Sequence, residues 1–343
     1  MSLKGAVASP NIYGFGERNY DFKLNNGRYT IWGRDEPKVV ETGNGGGNVY
    51  GHHPVGLVRD QKGAHSIVYL RNSNGMDVVV DNSKIEFLVV GGIYDLAFFV
   101  GDNRPDNVVS LYHQYSGNWT MMPFWSMGNQ QSRWGYQDIH RIRTIINKFK
   151  DYDIPLDVMW NDLDYMQEKE DFTINSAKFP PAEMKNLFQT EKKKWVPLID
   201  AGVKVERARA RGASEGIKRD IFIKNFKGDN MPGKVWPGRV HFPDFFHPKC
   251  DAYWADMLED LYKKMPFDGI WLDMNEIANF NNGELDRNGK TKYEEIPYQP
   301  GNRELRTKTI SMDAVHYGNI QEWDVHELFS IMQNRATHKY LKQ

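Results

Sequence analysis

The chain has 343 residues, 44 of them basic and 45 acidic, which is room for about two domains and a large core. So even a balance argues against steering toward nucleic acid or an anionic membrane surface, and one cysteine, Cys250, excludes an intrachain disulfide. No apolar run reaches membrane-spanning length, and residues 1–20 hold no apolar stretch of signal-peptide length.

Residues 1–118 read as mostly β. Ser66-Ile-Val-Tyr-Leu70, Asp77-Val-Val-Val80 and Ile85-Glu-Phe-Leu-Val-Val90 are short apolar or alternating runs separated by Gly and Asn turns. Asp95 to Val100 adds a further strand, and Asp106 to Tyr115 is a short helix leading out of the β region.

From Met121 strands alternate with helices, the rhythm of a parallel α/β sheet. The spacing predicts a first strand at Pro123–Gly128, then a helix near 138–150. A second strand at Leu156–Trp160 is followed by Asp162 and Asp164, with a helix near 181–191 behind it. The third strand, Lys194–Ile199, ends at Asp200. After a long loop, 204–243, come a helix near 249–264 and a fourth strand, Gly269–Leu272, ending at Asp273. A helix from Trp323 to Leu341 closes the chain. The basic run Lys204–Arg211 reads as a solvated loop, since it lacks interleaved aromatics to stack on bases. Three successive strands thus finish in aspartate, the pattern of a barrel mouth.

The fourth strand carries the most specific signal. Trp271-Leu-Asp-Met-Asn-Glu276 resembles the Trp-x-Asp-Met-Asn-Glu signature of glycoside hydrolase family 31, the α-glucosidase and α-xylosidase family. The resemblance extends to Tyr13-Gly-Phe-Gly-Glu-Arg18, Tyr29-Thr-Ile-Trp-Gly-Arg-Asp35 with Val49-Tyr-Gly-His-His-Pro54, and Asn129-Gln-Gln-Ser-Arg-Trp-Gly-Tyr136. It continues through Ile154-Pro-Leu-Asp-Val-Met-Trp-Asn-Asp-Leu-Asp-Tyr-Met166, Val235-Trp-Pro-Gly238, Lys308-Thr-Ile-Ser-Met-Asp313 and Trp323-Asp-Val-His-Glu-Leu328.

What the resemblance implies is an α/β fold. A (β/α)8 TIM-barrel catalytic domain of the glycoside hydrolase type would follow part of a β-sandwich domain. Residues 1–118 would be the carboxy-terminal part of that amino-terminal domain, and 119–343 the first half of the barrel, about four of its eight strands. Asp273 would be the nucleophile of a retaining α-glucosidase that removes terminal α-linked glucose from oligosaccharides, with Glu276 in support. Asp35 and Asp162 would grip sugar hydroxyls, and Trp134, Trp236 and Trp271 would wall the pocket, beside Val203 and Met274. The resemblance implies no metal, no cofactor and no nucleic-acid or membrane partner, and a lysosomal or secretory setting.

Two carboxylates about 5–5.5 Å apart serve a retaining hydrolase. Glu276, so close to Asp273 in sequence, reads instead as a hydrogen-bonding or ion-pairing support behind the nucleophile, and Asp164 as a partner for Asp162 or Trp160. The family's acid/base and its arginine would lie beyond Gln343. The expectation is therefore a chain inactive alone, prone to self-association or needing a complementing fragment. A noncatalytic fragment with weak sugar binding stays open, as do an α-xylosidase and a glucosidase II-like trimming enzyme. Other chemistries fit poorly. Thr42-Gly-Asn-Gly-Gly-Gly-Asn48 lacks the Gly-Lys-Ser/Thr of a phosphate loop. His52 and His53, adjacent on an extended chain, face opposite ways.

Overall fold

The computed structural model describes residues 1–35 and 50–342; the Gly-rich segment Thr42–Asn48 lies outside them. The amino-terminal part forms eight strands: β1 (Ser2–Ala6), β2 (Ile12–Gly14), β3 (Gly27–Ile31), β4 (Val55–Arg59), β5 (His65–Arg71), β6 (Met76–Asp81), β7 (Lys84–Val89) and β8 (Asp95–Val100). They pair antiparallel in two sheets, ordered β1-β7-β6-β3 and β2-β4-β5-β8. Alternation explains the layering. Val78 and Val80 on β6 and Ile85, Phe87 and Val89 on β7 turn inward against Val58, Val68 and Leu70 of the other sheet. The helix α1 (Pro105–Ser116), with Pro105 at its first turn, then leads away.

The second part contains β9 (Gln130–Gln131), α2 (Ile139–Asp151), β10 (Val158–Asn161), α3 (Pro181–Thr190) and β11 (Lys194–Asp200). It continues with β12 (Val203–Lys204), α4 (Gly212–Arg219), β13 (Pro232–Val235), β14 (Gly238–His241), α5 (Cys250–Lys264) and β15 (Trp271–Asp273). Four strands make one parallel sheet in the order β15-β11-β10-β9. The Asp138 side chain caps α2 by accepting from the Arg141 N–H at 2.8 Å. Ile139, Ile142 and Ile146 then present the apolar stripe of α2 to the core. The chain closes with β16 (Val315–His316), β17 (Ile320–Gln321), α6 (Glu322–Val325) and α7 (Phe329–Leu341).

Four expectations are corrected. Pro123–Gly128 is not the first barrel strand: Phe124–Met127 is a 3₁₀ turn, and the strand begins at Gln130. Apolar content alone suggested burial, yet Phe124 is 88% exposed, because no neighbouring strand covers it among the described residues. The span 204–243 is not one long loop but holds α4 and a three-stranded antiparallel sheet, β12-β14-β13. Its basic run is not merely solvated. Lys204 is buried beside Glu168 (3.1 Å) and Glu170 (3.8 Å), Arg209 pairs with Glu168 at 2.6 Å, and Arg211 with Asp260 at 2.5 Å. Finally, the last helix is broken by a 3₁₀ turn at His326–Leu328, which turns His326 and Glu327 toward the amino-terminal strands.

The two parts meet across a buried seam. Asp77 on β6 accepts from the Thr30 hydroxyl (2.6 Å), the Tyr298 hydroxyl (2.9 Å) and the Gly301 N–H (3.1 Å). Trp32, just past β3, donates its indole N–H to the Leu305 carbonyl at 3.2 Å and stacks on His326, ring centroids 4.0 Å apart. This seam carries the segment ending at Asp35 over to the barrel.

Candidate active site

Register on the parallel sheet places the acids. Asp200 at the end of β11 is the direct neighbour of Asp273 at the end of β15, and Leu198 that of Trp271. Side chains two apart share a face, so Trp271 and Asp273 point the same way, with the tryptophan one layer deeper. Trp271 packs there on Trp160 of β10, ring centroids 5.7 Å apart and tilted 59°. It therefore forms a floor beneath Asp273.

Asp273 accepts a hydrogen bond from the Met274 N–H at 2.8 Å. Burial raises its pKa, the Met274 N–H opposes that, and the nearby charge of Asp35 adds to it. One amide favours its charged form, and burial outweighs it. Met274 itself has φ = 61°, a left-handed conformation that a long side chain adopts only under constraint. Its side chain packs into the core, so what Met274 brings to the site is the turn that presents its N–H.

Asp162, following β10, accepts from the Leu163 N–H at 2.7 Å. Burial lifts its pKa, with further upward pressure from Asp273 and Asp164. Asp164 does not partner Asp162 or Trp160. It accepts from the Gly135 N–H at 2.7 Å and so pins the loop bearing Trp134, while Trp160 donates to Gln130 at 2.8 Å. Asp35 is held by the Tyr50 hydroxyl at 3.1 Å, with the Lys308 ammonium 3.7 Å from its other oxygen.

Trp134 and Trp236 face each other with centroids 5.7 Å apart, and Phe280 meets Trp236 edge-on at 5.0 Å. The Lys169 ammonium sits 4.7 Å from the centre of the Trp236 ring, a cation–π contact. Trp134 is 58% exposed and available to a ligand. Val203 is placed elsewhere: it is 4% exposed, on β12, packed in the core against Gly212.

Of the hydrogen-bonding or ion-pairing support expected of Glu276, its own backbone N–H supplies a hydrogen bond to the carboxylate. Its Oε2 is buried with no hydrogen-bond partner among the described residues, and burial, with the charges of Asp273 and Asp35, pushes its carboxyl up to about 7. Asp200 lies behind, 1% exposed. Its N–H donates to Asp171 at 2.9 Å; burial raises both carboxyls well above the usual range, helped at Asp200 by the charges of Asp171 and Asp273 and at Asp171 by those of Glu170 and Asp273. Sequence reasoning marked Asp200 only as a strand-ending acid and gave Asp171 no role. Their pairing depends on a loop folding back onto β11, which no local spacing announces.

Carboxyls gathered at the carboxyl ends of parallel barrel strands, walled by tryptophans, define the site of a glycoside-hydrolase type barrel. Comparison agrees. Residues 119–343 match the family 31 TIM-barrel domain of the glycosyl hydrolases, and residues 4–78 its amino-terminal galactose mutarotase-like domain. The chain belongs to glycoside hydrolase family 31. It is 37% identical to a probable alpha-glucosidase of Oryza sativa subsp. japonica, over 99% of this chain and 39% of that protein. It is 32% identical to alpha-xylosidase 1 of Arabidopsis thaliana, over 96% of this chain and 39% of the relative. The crystal structure of endoplasmic-reticulum glucosidase II, a catalytic subunit with the binding domain of a regulatory subunit, superposes with a TM-score of 0.84 at 22% identity. That match covers 100% of this chain and 37% of the other. The chain thus spans about two fifths of the length of these relatives.

Proposed function

We propose that this chain carries the nucleophile side of a retaining α-glucosidase site, with Asp273 as the attacking carboxylate. The observation that carries the reading is the placement of Asp273. It stands at the end of β15, in register with Asp200, one layer above the Trp160–Trp271 floor. Its oxygen attacks the anomeric carbon of a terminal α-linked glucose, the glycosidic bond breaks, and a β-glycosyl ester forms that water then cleaves with net retention. Asp35 and Asp162 bind hydroxyls as charged acceptors, a contact that rejects sugars lacking the hydroxyl. Trp134 and Trp236 pack against the apolar faces of the sugar.

Glucosides of nitrophenol test this directly. The leaving group is acidic enough to depart with little protonation, so the glycosylation step depends on the nucleophile. The expected result is a burst of nitrophenol, close to stoichiometric with the chain, from the α-glucoside and not the β-glucoside. No burst from folded protein supports the reading as a noncatalytic fragment with weak sugar binding, and a larger burst from an α-xyloside moves the assignment within the family.

The sheet order bears on partners. Strands β9 and β15 are its outer members, each paired on one side only among the described residues. Trp119 and Phe124, 78% and 88% exposed, add uncovered apolar surface in the segment that precedes β9. Open edges and uncovered apolar surface recruit further strands, so we propose that the isolated chain associates with itself or with a complementing fragment. Sedimentation should show mass rising with concentration; a sharp monomer at all concentrations would contradict this.

A further inference from the structure

Six ionisable side chains form a string, buried except at its half-buried end, His52. Asp244 faces His316 Nδ1 at 2.9 Å, His316 Nε2 faces Glu322 at 2.8 Å, and the other Glu322 oxygen faces His326 Nδ1 at 2.6 Å. His326 Nε2 lies 2.5 Å from the Gly33 carbonyl. Glu327 accepts from the Gly33 N–H at 3.0 Å and pairs on its far side with His52. The side chains of His316, Glu322 and His326 are 0% exposed.

With Asp244 and Glu322 ionised, the geometry fixes the protons on the rings. Each nitrogen of His316 faces a carboxylate oxygen, and those of His326 face a carboxylate and a carbonyl. A neutral imidazole has one N–H and would set a lone pair against an acceptor at its other nitrogen. Two doubly protonated rings satisfy all four contacts, and they alternate in charge with Asp244 and Glu322.

We infer that this string is a proton-locked clamp that grips the Gly33 peptide from both its N–H and its carbonyl, making His326 and Glu327 positioning residues for Asp35. Gly33 is two residues from Asp35, and a side chain there would crowd Glu327 and His326, each 3.4–3.5 Å from the added carbon. The other groups packed on the rings are neutral. Trp32 stacks on His326, and Phe246 meets His316 edge-on at 5.0 Å. Toward the site, the charge of His326 acts on Glu276 and lowers its pKa, against the larger upward effects described above.

The pH dependence follows from these partners. Burial opposes the charge on His316, but the hydrogen bonds it donates to Asp244 and Glu322 outweigh burial and hold the ring at about 9. Burial likewise opposes ionisation of Glu322, and the two histidines overcome it, holding the carboxyl at about 2. His326 and His52 are raised and Glu327 is lowered, in each case by partners that outweigh burial. The stability contributed by a raised histidine is complete below its free value of 6.5 and disappears as pH climbs through about 9. That from Glu322 is complete above its free value of 4.5 and is lost as pH falls through about 2. The stability the string contributes is therefore fullest between 4.5 and 6.5, while in the folded chain the charged string itself persists up to about 9.

The effect on sugar binding rests on the role proposed for Asp35; the clamp itself does not, and its test uses no sugar. Side-chain nitrogen spectra of the ¹⁵N-labelled chain, recorded from about pH 6 to pH 10, report the protonation of His316. Amide exchange of Gly33, expressed as a protection factor, reports the grip. The expected result is an imidazolium at His316 through neutral pH. Gly33 protection should fall at least about tenfold as that ring loses its proton. Asp244→Asn should move both transitions together to lower pH. A neutral His316 at pH 7, or Gly33 protection that ignores the titration, would overturn the clamp.

Discussion

Asp273→Ala is expected to abolish the nitrophenol burst, slowing glycosylation by on the order of 10⁴-fold or more, as loss of a covalent nucleophile does elsewhere. The size follows from chemistry. Alanine leaves no atom that can bond to the anomeric carbon, and water would have to enter unaided. The fold should tolerate the change. Asp273 makes one backbone hydrogen bond, to the N–H of Met274, and the burial that raises its pKa makes the charged form a cost. The variant should therefore melt at or above the temperature of the unchanged chain while losing the burst. A variant that keeps its burst would move the nucleophile to another carboxylate, and Glu276 is the next to examine.

The largest expected effect on stability is at Glu322. Its two oxygens serve His316 and His326 from a position with no solvent exposure. Glu322→Ala leaves two buried rings that must shed protons or stay charged without a partner, and breaking such a set costs about 3–5 kcal/mol. The same variant should flatten the pH dependence of stability, because the histidines lose the partner that raises them. Denaturant unfolding at several pH values measures both. A loss below about 1 kcal/mol, the scale of an exposed pair, would show that the string adds little.

Much of the framework was legible because it is local. Apolar alternation at Met76–Asp81 and Lys84–Val89, the helix near 138–150 and the acidic strand ends are written in neighbouring residues. Asp273 was legible through a contiguous motif. The misplacement of the first barrel strand has another origin: Phe124 and Trp125 are apolar without being buried strand residues, and apolar runs predict burial only when something covers them. Gly216 concealed α4, since glycine weakens helix propensity. It sits there because a Cβ would lie 2.3 Å from the Phe222 ring, a contact set by tertiary packing.

The clamp was hidden for a similar reason. Glu322 and His326 are four apart on one helical face, the one local clue, yet the string is completed by distant pairs, Asp244 with His316, Gly33 with His326 and His52 with Glu327. The expectation that His52 and His53 face opposite ways fits their contacts. His52 turns in to Glu327, and His53 turns out to the Tyr112 hydroxyl at 2.8 Å.

The central claim is that Asp273 forms the bond to sugar, and peptide mapping of a trapped intermediate tests it most directly. The chain would be treated with an α-glucosyl fluoride carrying a ring fluorine, which slows hydrolysis of the ester, then digested and sequenced by mass spectrometry. The account predicts one glucosyl label, on the peptide containing Trp271 to Glu276, with fragmentation placing it on Asp273. A label on Glu276, Asp162 or Asp200 would contradict it.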